Sequence, residues 1–194
     1  MRGRPRSFDE DEVLERAMDL FWRRGYKGAG LADLIRHMGI SRQSLYDTFG
    51  SKRDLFLRVL QHYRSTRLSD GLALLEREGS RLENVRAVLR FFESLGEDPE
   101  CRGCMVANAL VELGPSEDEE ISGLLRDTLE RLEGAIEQTL EAAQAQGELG
   151  PEKSPHQVAR ALTTAMIGMA VTGRLQIGPS SLADVYAGTV GLLD

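Results

Sequence analysis

A stretch of 25 residues, positions 28–52, restricts the possible folds of this chain more than any other part of its sequence. In its first half apolar residues recur at the spacing i, i+3, i+4 and i+7, which puts them on one face of a short helix; they are Leu31, Leu34, Ile35 and Met38. Gly39 can adopt the left-handed conformation that ends such a helix, and the hydroxyl of Ser41 can cap the next one. That second helix has Leu45 and Phe49 on one face, so a further helix must cover them.

The opposite face of the second helix is polar and begins with Arg42, Gln43 and Ser44. Two short helices joined by a glycine turn are the parts of a helix-turn-helix, which inserts the N-terminal turn of its second helix into the major groove of DNA. An Arg side chain suits guanine O6 and N7, a Gln suits adenine N6 and N7, and a Ser can serve either base. The alternative is an ordinary solvated helix face.

Three further side chains of this stretch bear on DNA contact. We expect Tyr46 and Lys52 to reach phosphates, a contact that positions the protein without specifying sequence. Asp47 cannot favour a phosphate, so it orients Arg42 or Lys52 or simply faces water.

The sequence here resembles a known family. The segment SRQSLYDTFGSKRDLF, with DEDEVLERAMDLFWRRGYKG before it, is similar to the N-terminal domain of TetR-family transcriptional regulators over about the first sixty residues. Many members have a Thr or Ser pair where this chain has Ala29 and Gly30, and we expect Gly30 to cap its helix and turn its amide toward a phosphate. The expected DNA-binding residues are Gly30, Ser41, Arg42, Gln43, Ser44, Tyr46 and Lys52.

The charge is distributed unevenly along the chain. The net charge is −7, but residues 1–67 hold 14 Lys/Arg and 9 Asp/Glu, a net +5, and the rest holds 10 and 22, a net −12. A basic head on an acidic body is expected when only the head meets phosphate. Chance unevenness of solvated charge is the alternative, which the helix-turn-helix pattern disfavours.

Composition excludes several classes of protein. Hydrophobic residues make up 41% and charged residues 28%, and no apolar run approaches the ~20 residues of a membrane span. The N-terminal RGRPRSFDE lacks the apolar core of a secretory signal. We therefore expect a cytoplasmic protein with no membrane partner, no cofactor and no catalytic residues.

The remaining sequence predicts helices throughout, with no period-2 strand pattern, so the fold class is all-α with about nine helices. Helix starts are predicted at Ser7, Lys52, Ser116, Ser154 and Ser181. The first helix should end at Gly25, the one from Lys52 should run to about Leu68 or further, and the one after Ser116 should reach Gly147. The family resemblance implies a three-helix DNA-binding domain at residues 1–51 and a ligand-binding and dimerisation bundle at residues 52–194.

The last two predicted helices are rich in small residues. A glycine inside a helix destabilises it by roughly 1 kcal/mol, and close approach of another helix commonly offsets this. The resemblance implies that these helices form a four-helix interface in a homodimer, so that two recognition helices lie about one DNA turn apart, ~34–36 Å. Tight packing within one chain is the alternative. The expected interface residues are Ala165, Gly168, Gly173, Tyr186 and Gly188.

A ligand pocket is suggested by composition alone. Met and Phe side chains adapt to varied apolar ligands, so we expect an apolar small-molecule effector between the helices of the body. The expected ligand-binding residues are Phe91, Phe92, Cys104, Met105, Asn108, Met166 and Met169. The alternative is that these residues are plain core.

Cys101 and Cys104 form the one pair of residues in the sequence that could carry redox chemistry. A C-x-x-C pair can be a disulfide switch, half of a zinc site or a redox centre. No second cysteine pair or suitably spaced histidine completes a zinc site, and no metal is expected. A thiol at a helix N-terminus remains, so a redox-sensing regulator or a thiol redox protein is the alternative function, while a small buried cysteine is the commoner explanation.

Overall fold

The computed structural model of the protein describes residues 8–100, 102–114, 118–176 and 179–194. This described part is helical and contains no strand, so the predicted all-α fold is confirmed. The α-helices are α1 (Glu10–Gly28), α2 (Leu31–Met38), α3 (Arg42–Phe49), α4 (Lys52–Tyr63), α5 (Ser69–Ala73), α6 (Arg81–Gly96), α7 (Met105–Leu113), α8 (Glu119–Ala145), α9 (Pro155–Thr172) and α10 (Pro179–Val190). All except the short α5 have eight residues or more, which leaves nine substantial helices within the described ranges.

Two predicted helix starts are wrong because a nearby carboxylate caps the helix instead of a serine. Asp9 caps α1 and Asp118 caps α8, each accepting hydrogen bonds from N–H groups of the first turn. A carboxylate also interacts favourably with the positive end of the helix dipole. The predicted caps Ser7 and Ser116 lie outside the described residues. The start at Ser154 is confirmed. The predicted start at Ser181 is wrong, because the last helix already begins at Pro179, and a proline suits the first position of a helix.

Gly25 kinks α1 rather than ending it. Its backbone angles are φ 72° and ψ 176°, a conformation that residues with a side chain rarely adopt, and the helix continues to Gly28. The carbonyl of Gly25 accepts a hydrogen bond from Ala29 N–H at 3.2 Å. The last turn therefore changes direction while it remains hydrogen-bonded.

The helical run from Lys52 reaches Leu68 and continues beyond it, as predicted, but it changes type on the way. The α-helix α4 ends at Tyr63 and passes into a π-helix, Arg64–Leu68, which α5 follows directly. A π-helix holds an extra residue per turn, which shifts the phase of the side chains that follow, and it occurs often at functional sites.

The chain divides into two compact units, Met1–Tyr63 and Arg64–Asp194. The first unit contains α1 to α4 around an aromatic core. Phe21 packs edge-on against Phe56 with ring centroids 5.0 Å apart, and Trp22 packs edge-on against Tyr63 at the same distance. The predicted core position of Trp22 is confirmed, since only 8% of the residue is exposed.

The second unit is a helical bundle centred on α6, α8 and α9. Its fully buried apolar side chains come from all three helices and include Val85, Leu89, Ile136, Leu140 and Leu162.

Three glycines allow backbones to touch near the C-terminal end of α9. A Cβ atom added to Gly96 would lie 2.8 Å from the carbonyl oxygen of Met169, and one added to Gly103 would lie 2.3 Å from that of Ala170. A Cβ atom on Gly173 would lie 2.3 Å from the carbonyl oxygen of Gly96. The loop between α6 and α7 is thereby held against α9 at both of its ends.

No helix in the described ranges is long and apolar enough to cross a membrane.

Candidate nucleic-acid interface and internal cavity

The turn between α2 and α3 has the predicted geometry. Gly39 is left-handed, with φ 71° and ψ 26°, and its N–H donates to the carbonyl of Ile35 at 3.1 Å. Nη1 of Arg16, from α1, donates to the carbonyl of Met38 at 3.2 Å. A side chain of α1 thus satisfies a carbonyl that the end of α2 leaves without an intrahelical partner.

The start of α3 is fixed by Ser41. Its hydroxyl accepts a hydrogen bond from Ser44 N–H at 3.0 Å, which confirms the predicted cap. Leu45 and Phe49 are buried, so the opposite face of α3 points to solvent. This exposed face carries Arg42, Gln43, Tyr46 and Asp47.

Two contacts organise the exposed face of α3. Nε2 of Gln43 donates to Oδ1 of Asp47 at 2.7 Å, and the guanidinium of Arg42 lies over the ring of Tyr46, 5.8 Å from its centroid. The partner of Asp47 is therefore Gln43, which the sequence did not predict. The second N–H of the Gln43 amide and its carbonyl oxygen are the groups that a base would need.

Gly30 and Lys52, the first and last residues of the expected interface, each have a defined structural contact. Gly30 caps α2 through its backbone: its carbonyl accepts from Leu34 N–H at 3.0 Å, and the residue is exposed. The ammonium of Lys52 lies over the ring of Tyr26, 4.7 Å from its centroid, which orders the side chain at the start of α4.

Ion pairs near this surface were missed by sequence reasoning. Asp33 pairs with Arg36 and with Arg24, the latter at 3.0 Å. Asp19 pairs with Arg23 at 2.9 Å. Spacings of three or four residues could have revealed the pairs of Asp33 with Arg36 and of Asp19 with Arg23. The pair between Arg24 and Asp33 joins two helices, so it depends on tertiary structure.

The second unit contains a cavity of about 330 Å³, within the size range of small-molecule sites. Its wall is contributed by the π-helix and by α5 to α9. The lining residues are Arg64, Ser65, Leu68, Ser69, Leu72, Phe92, Cys104, Val106, Thr128, Leu129, Arg131, Leu132 and Ile167.

Of the seven predicted ligand-binding residues, Phe92 and Cys104 line this cavity. Met105, Met166 and Met169 are buried elsewhere in the bundle core.

The other two predicted residues have structural partners. Phe91 lies against Gly71, where an added Cβ atom would come within 2.8 Å of its ring. Asn108 donates to the carbonyl of Arg102 at 2.7 Å and accepts from Arg174 at 3.0 Å. The predicted pocket thus overlaps the observed cavity at Phe92 and Cys104.

Comparison with known proteins places the chain in a family. Residues 13–59 match the model for bacterial regulatory proteins of the tetR family, and residues 81–188 match the model for the C-terminal domain of tetracyclin repressor-like proteins. The chain belongs to the TetR family. It is therefore a DNA-binding, helix-turn-helix transcriptional regulator and not an enzyme.

Individual relatives agree with this assignment. The chain is 34% identical over 194 residues to the HTH-type transcriptional regulator YezE of Bacillus subtilis (strain 168), covering 99% of this chain and 100% of that protein. It is 30% identical to the HTH-type transcriptional repressor ComR of Escherichia coli (strain K12), covering 98% and 91%.

Among solved structures, a cysteine mutant of the TetR family regulator CifR, complexed with 26-bp double-strand operator DNA, superposes with a TM-score of 0.87. That chain is 32% identical to this one, and the superposition covers 97% of this chain and 98% of that one.

The cavity of this TetR-family regulator has a charged edge that sequence reasoning missed. Asp127 accepts hydrogen bonds from Nη1 of Arg64 at 2.5 Å and from Nε of Arg131 at 3.1 Å. These bonds, that of Arg131 foremost, lower the pKa of Asp127, so the carboxyl stays ionised. The spacing of Asp127 and Arg131 gave a signal in the sequence, whereas Arg64 joins them only through tertiary structure.

Cys104 occupies the N-cap position of α7 and is buried. Its position at a helix N-terminus agrees with the prediction, and its side chain lies on the cavity wall. Cys101 lies outside the described residues.

The predicted interface residues differ in how exposed they are. Gly168 and Gly188 are exposed, and a Cβ atom added to either would meet nothing within 4 Å. Gly173 is buried against Gly96 of the same chain, which leaves it little surface to offer a partner. Ala165 is half-buried, and Tyr186 lies under the guanidinium of Arg90, 5.1 Å from its ring centroid.

Proposed function

We propose that this protein is a ligand-responsive repressor that binds a palindromic operator as a homodimer and is released by a small molecule in its C-terminal cavity. The observation that supports this proposal is where the residues that line the cavity lie along the chain. Arg64, Ser65 and Leu68 line the cavity and belong to the π-helix that directly follows Tyr63, the last residue of α4. An effector in the cavity therefore touches the segment that is joined to the DNA-binding unit.

The proposed switch follows from this connection. A ligand that binds one conformation of the π-helix better than another shifts the population toward that conformation. The change passes along the chain to α4 and alters the separation of the two recognition helices. The two half-sites are then no longer read together. By linkage, operator DNA must weaken the effector by the same factor, typically 5- to 150-fold.

The homodimer is supported by the two exposed glycines. Packing within the chain does not account for Gly168 or Gly188, because their surroundings leave room for a side chain. Each destabilises its own helix by roughly 1 kcal/mol relative to alanine. The same room exists at Gly123 in α8. Gly168 and Gly188 are assigned to the interface because they lie on the last two helices, from which the family resemblance builds the dimer.

The dimer is tested by replacing Gly168 with leucine, with Gly123→Leu in α8 as the matched control. A Cβ atom at either position meets nothing within the chain, so both changes should raise the stability of the protomer. Only Gly168→Leu should shift sedimentation toward monomer and weaken binding to a duplex selected from a random library. An unaltered dimer for Gly168→Leu would place the interface elsewhere.

Release is tested by filling the cavity with Ile167→Trp. This variant should still bind the selected duplex but should resist compounds that release the wild-type protein. If such compounds released both proteins at the same concentration, they would not act through this cavity.

A redox-sensing regulator is the second candidate, and the position of Cys104 on the cavity wall is the observation in its favour. Redox-sensing thiols are typically accessible to solvent, whereas Cys104 is only 4% exposed. We therefore place ligand release before oxidation as the mode of control.

A further inference from the structure

The polar groups of the cavity wall differ in what they can still bind. The hydroxyl of Ser69 donates to the carbonyl of Ser65 at 2.7 Å, and that of Thr128 donates to the carbonyl of Leu124 at 2.7 Å. The hydrogen of each of these hydroxyls is therefore already used in a bond to the backbone. Most of the remaining wall is aliphatic or aromatic, including Leu72 and Leu132.

The two arginines retain donors. Arg64 uses Nη1 and Arg131 uses Nε to bind Asp127, and a guanidinium has five N–H groups. Asp127 itself does not line the cavity, and none of the described lining residues is acidic. The cluster of two guanidiniums and one carboxylate has a net charge of +1 at the edge of a largely apolar cavity.

We infer that the effector is an amphiphilic organic anion, whose acidic group binds Arg64 and Arg131 and whose apolar body lies among Leu68, Leu72, Phe92 and Leu132. The inference rests on the proposed ligand-controlled function and specifies the ligand class. A carboxylate matches the planar fork of a guanidinium. Without ligand, Asp127 holds the two guanidiniums together, and a bound anion shares or replaces that carboxylate.

The anion also acts on the segment proposed to transmit the signal. Arg64 is the first residue of the π-helix, and its side chain is only 29% exposed, against 65% for Arg131. A charged hydrogen bond is stronger where water is partly excluded. Arg64 should therefore contribute more to affinity than Arg131.

The test compares two probes of equal chain length, octanoate and octan-1-ol, by calorimetric titration of the full-length protein. Octanoate should bind more tightly than the alcohol. Arg64→Gln should weaken octanoate about fivefold, equivalent to about 1 kcal/mol, with a smaller loss for Arg131→Gln. Asp127→Asn should tighten octanoate, because it removes the competing carboxylate. Octan-1-ol should respond to none of these changes.

Arg126→Gln is the matched control, since Arg126 is exposed on the same helix and does not line the cavity. Equal affinity for octanoate and octan-1-ol, no binding of either, or octanoate binding that survives both arginine variants would overturn the assignment of an anion. Operator release is measured separately by fluorescence anisotropy. Octanoate that binds through Arg64 without releasing operator would refute the proposed switch and leave the ligand class intact. Equal release of operator by octan-1-ol would refute the assignment of an anionic ligand and leave the proposed switch intact.

Discussion

The contact between Gln43 and Asp47 gives a quantitative prediction about base selection. The two side chains are one helical turn apart on the exposed face of α3, with 2.7 Å between Nε2 and Oδ1. In the unbound protein this pair contributes about 0.2–0.5 kcal/mol, as is usual for exposed pairs at this spacing. Its effect on DNA binding should be larger, because it holds the Gln43 amide in one orientation before the base arrives.

The magnitude follows from the freedom that Gln43 would regain. Ordering a flexible side chain at an interface costs about 0.5–1.5 kcal/mol. Asp47→Ala should therefore lower the ratio of operator affinity to random-duplex affinity roughly twofold to tenfold. The same change removes a negative charge from the face that is expected to meet DNA, so affinity for random DNA should rise. Specificity and affinity thus move in opposite directions.

Anisotropy titrations of operator and random duplexes, at several salt concentrations, measure both quantities. Asp47→Asn is the control, because its amide oxygen can still accept from Gln43 while the charge is lost. It should gain general affinity and keep the specificity ratio. In a Gln43→Ala background, Asp47→Ala should change affinity alone. A specificity ratio that is unchanged by Asp47→Ala, or that falls equally in the Gln43→Ala background, would refute the reasoning.

Three other predictions use different residues. Arg42→Ala should reduce binding at a specific site by about 1–3 kcal/mol, whereas Lys52→Ala should weaken all duplexes alike and lower the salt slope by about one; duplex titrations distinguish them. Cys104→Ser should leave operator binding and ligand release intact. If mild oxidant released the wild-type protein from operator but did not release this variant, redox sensing would be favoured. The hydrogen bond from the Ser51 hydroxyl lowers the pKa of Asp54, so that bond stabilises the fold above the unfolded pKa of about 3.9 and is lost as the pH falls through the lower, folded value. The difference in Tm between Ser51→Ala and wild type should therefore narrow between pH 5 and pH 2.

The helix-turn-helix could be predicted because its signals are local. Gly39 ends one helix by its backbone freedom, and Ser41 begins the next with its own side chain, so a few neighbouring residues determine the geometry. Helices α1 and α8 were predicted correctly in kind, but their caps at Asp9 and Asp118 were missed because a serine and a carboxylate both suit the cap position.

The cavity could not be predicted in the same way. Arg64 and Arg131 are far apart in the chain and meet only because the bundle brings the π-helix to α8. Apolar residues at helical spacing gave no means of separating Phe92, which faces the cavity, from Met166, which is buried in the core. Periodicity identifies the inner face of a helix, and the gap that is left between inner faces depends on the sizes of all the side chains around it.

The contact of Gly96, Gly103 and Gly173 with neighbouring backbone has a consequence for how this protein can change through evolution. Mutation of any one of the three introduces a side chain into space that a main chain occupies, and no rotamer relieves such an overlap. Accepted substitutions at positions 96 and 173 should therefore occur together or with a change in the length of the loop that follows α6. The described residues that line the cavity, by contrast, include no glycine. Ligand preference can diversify there one residue at a time, while the loop beside it keeps the same length and the same glycines.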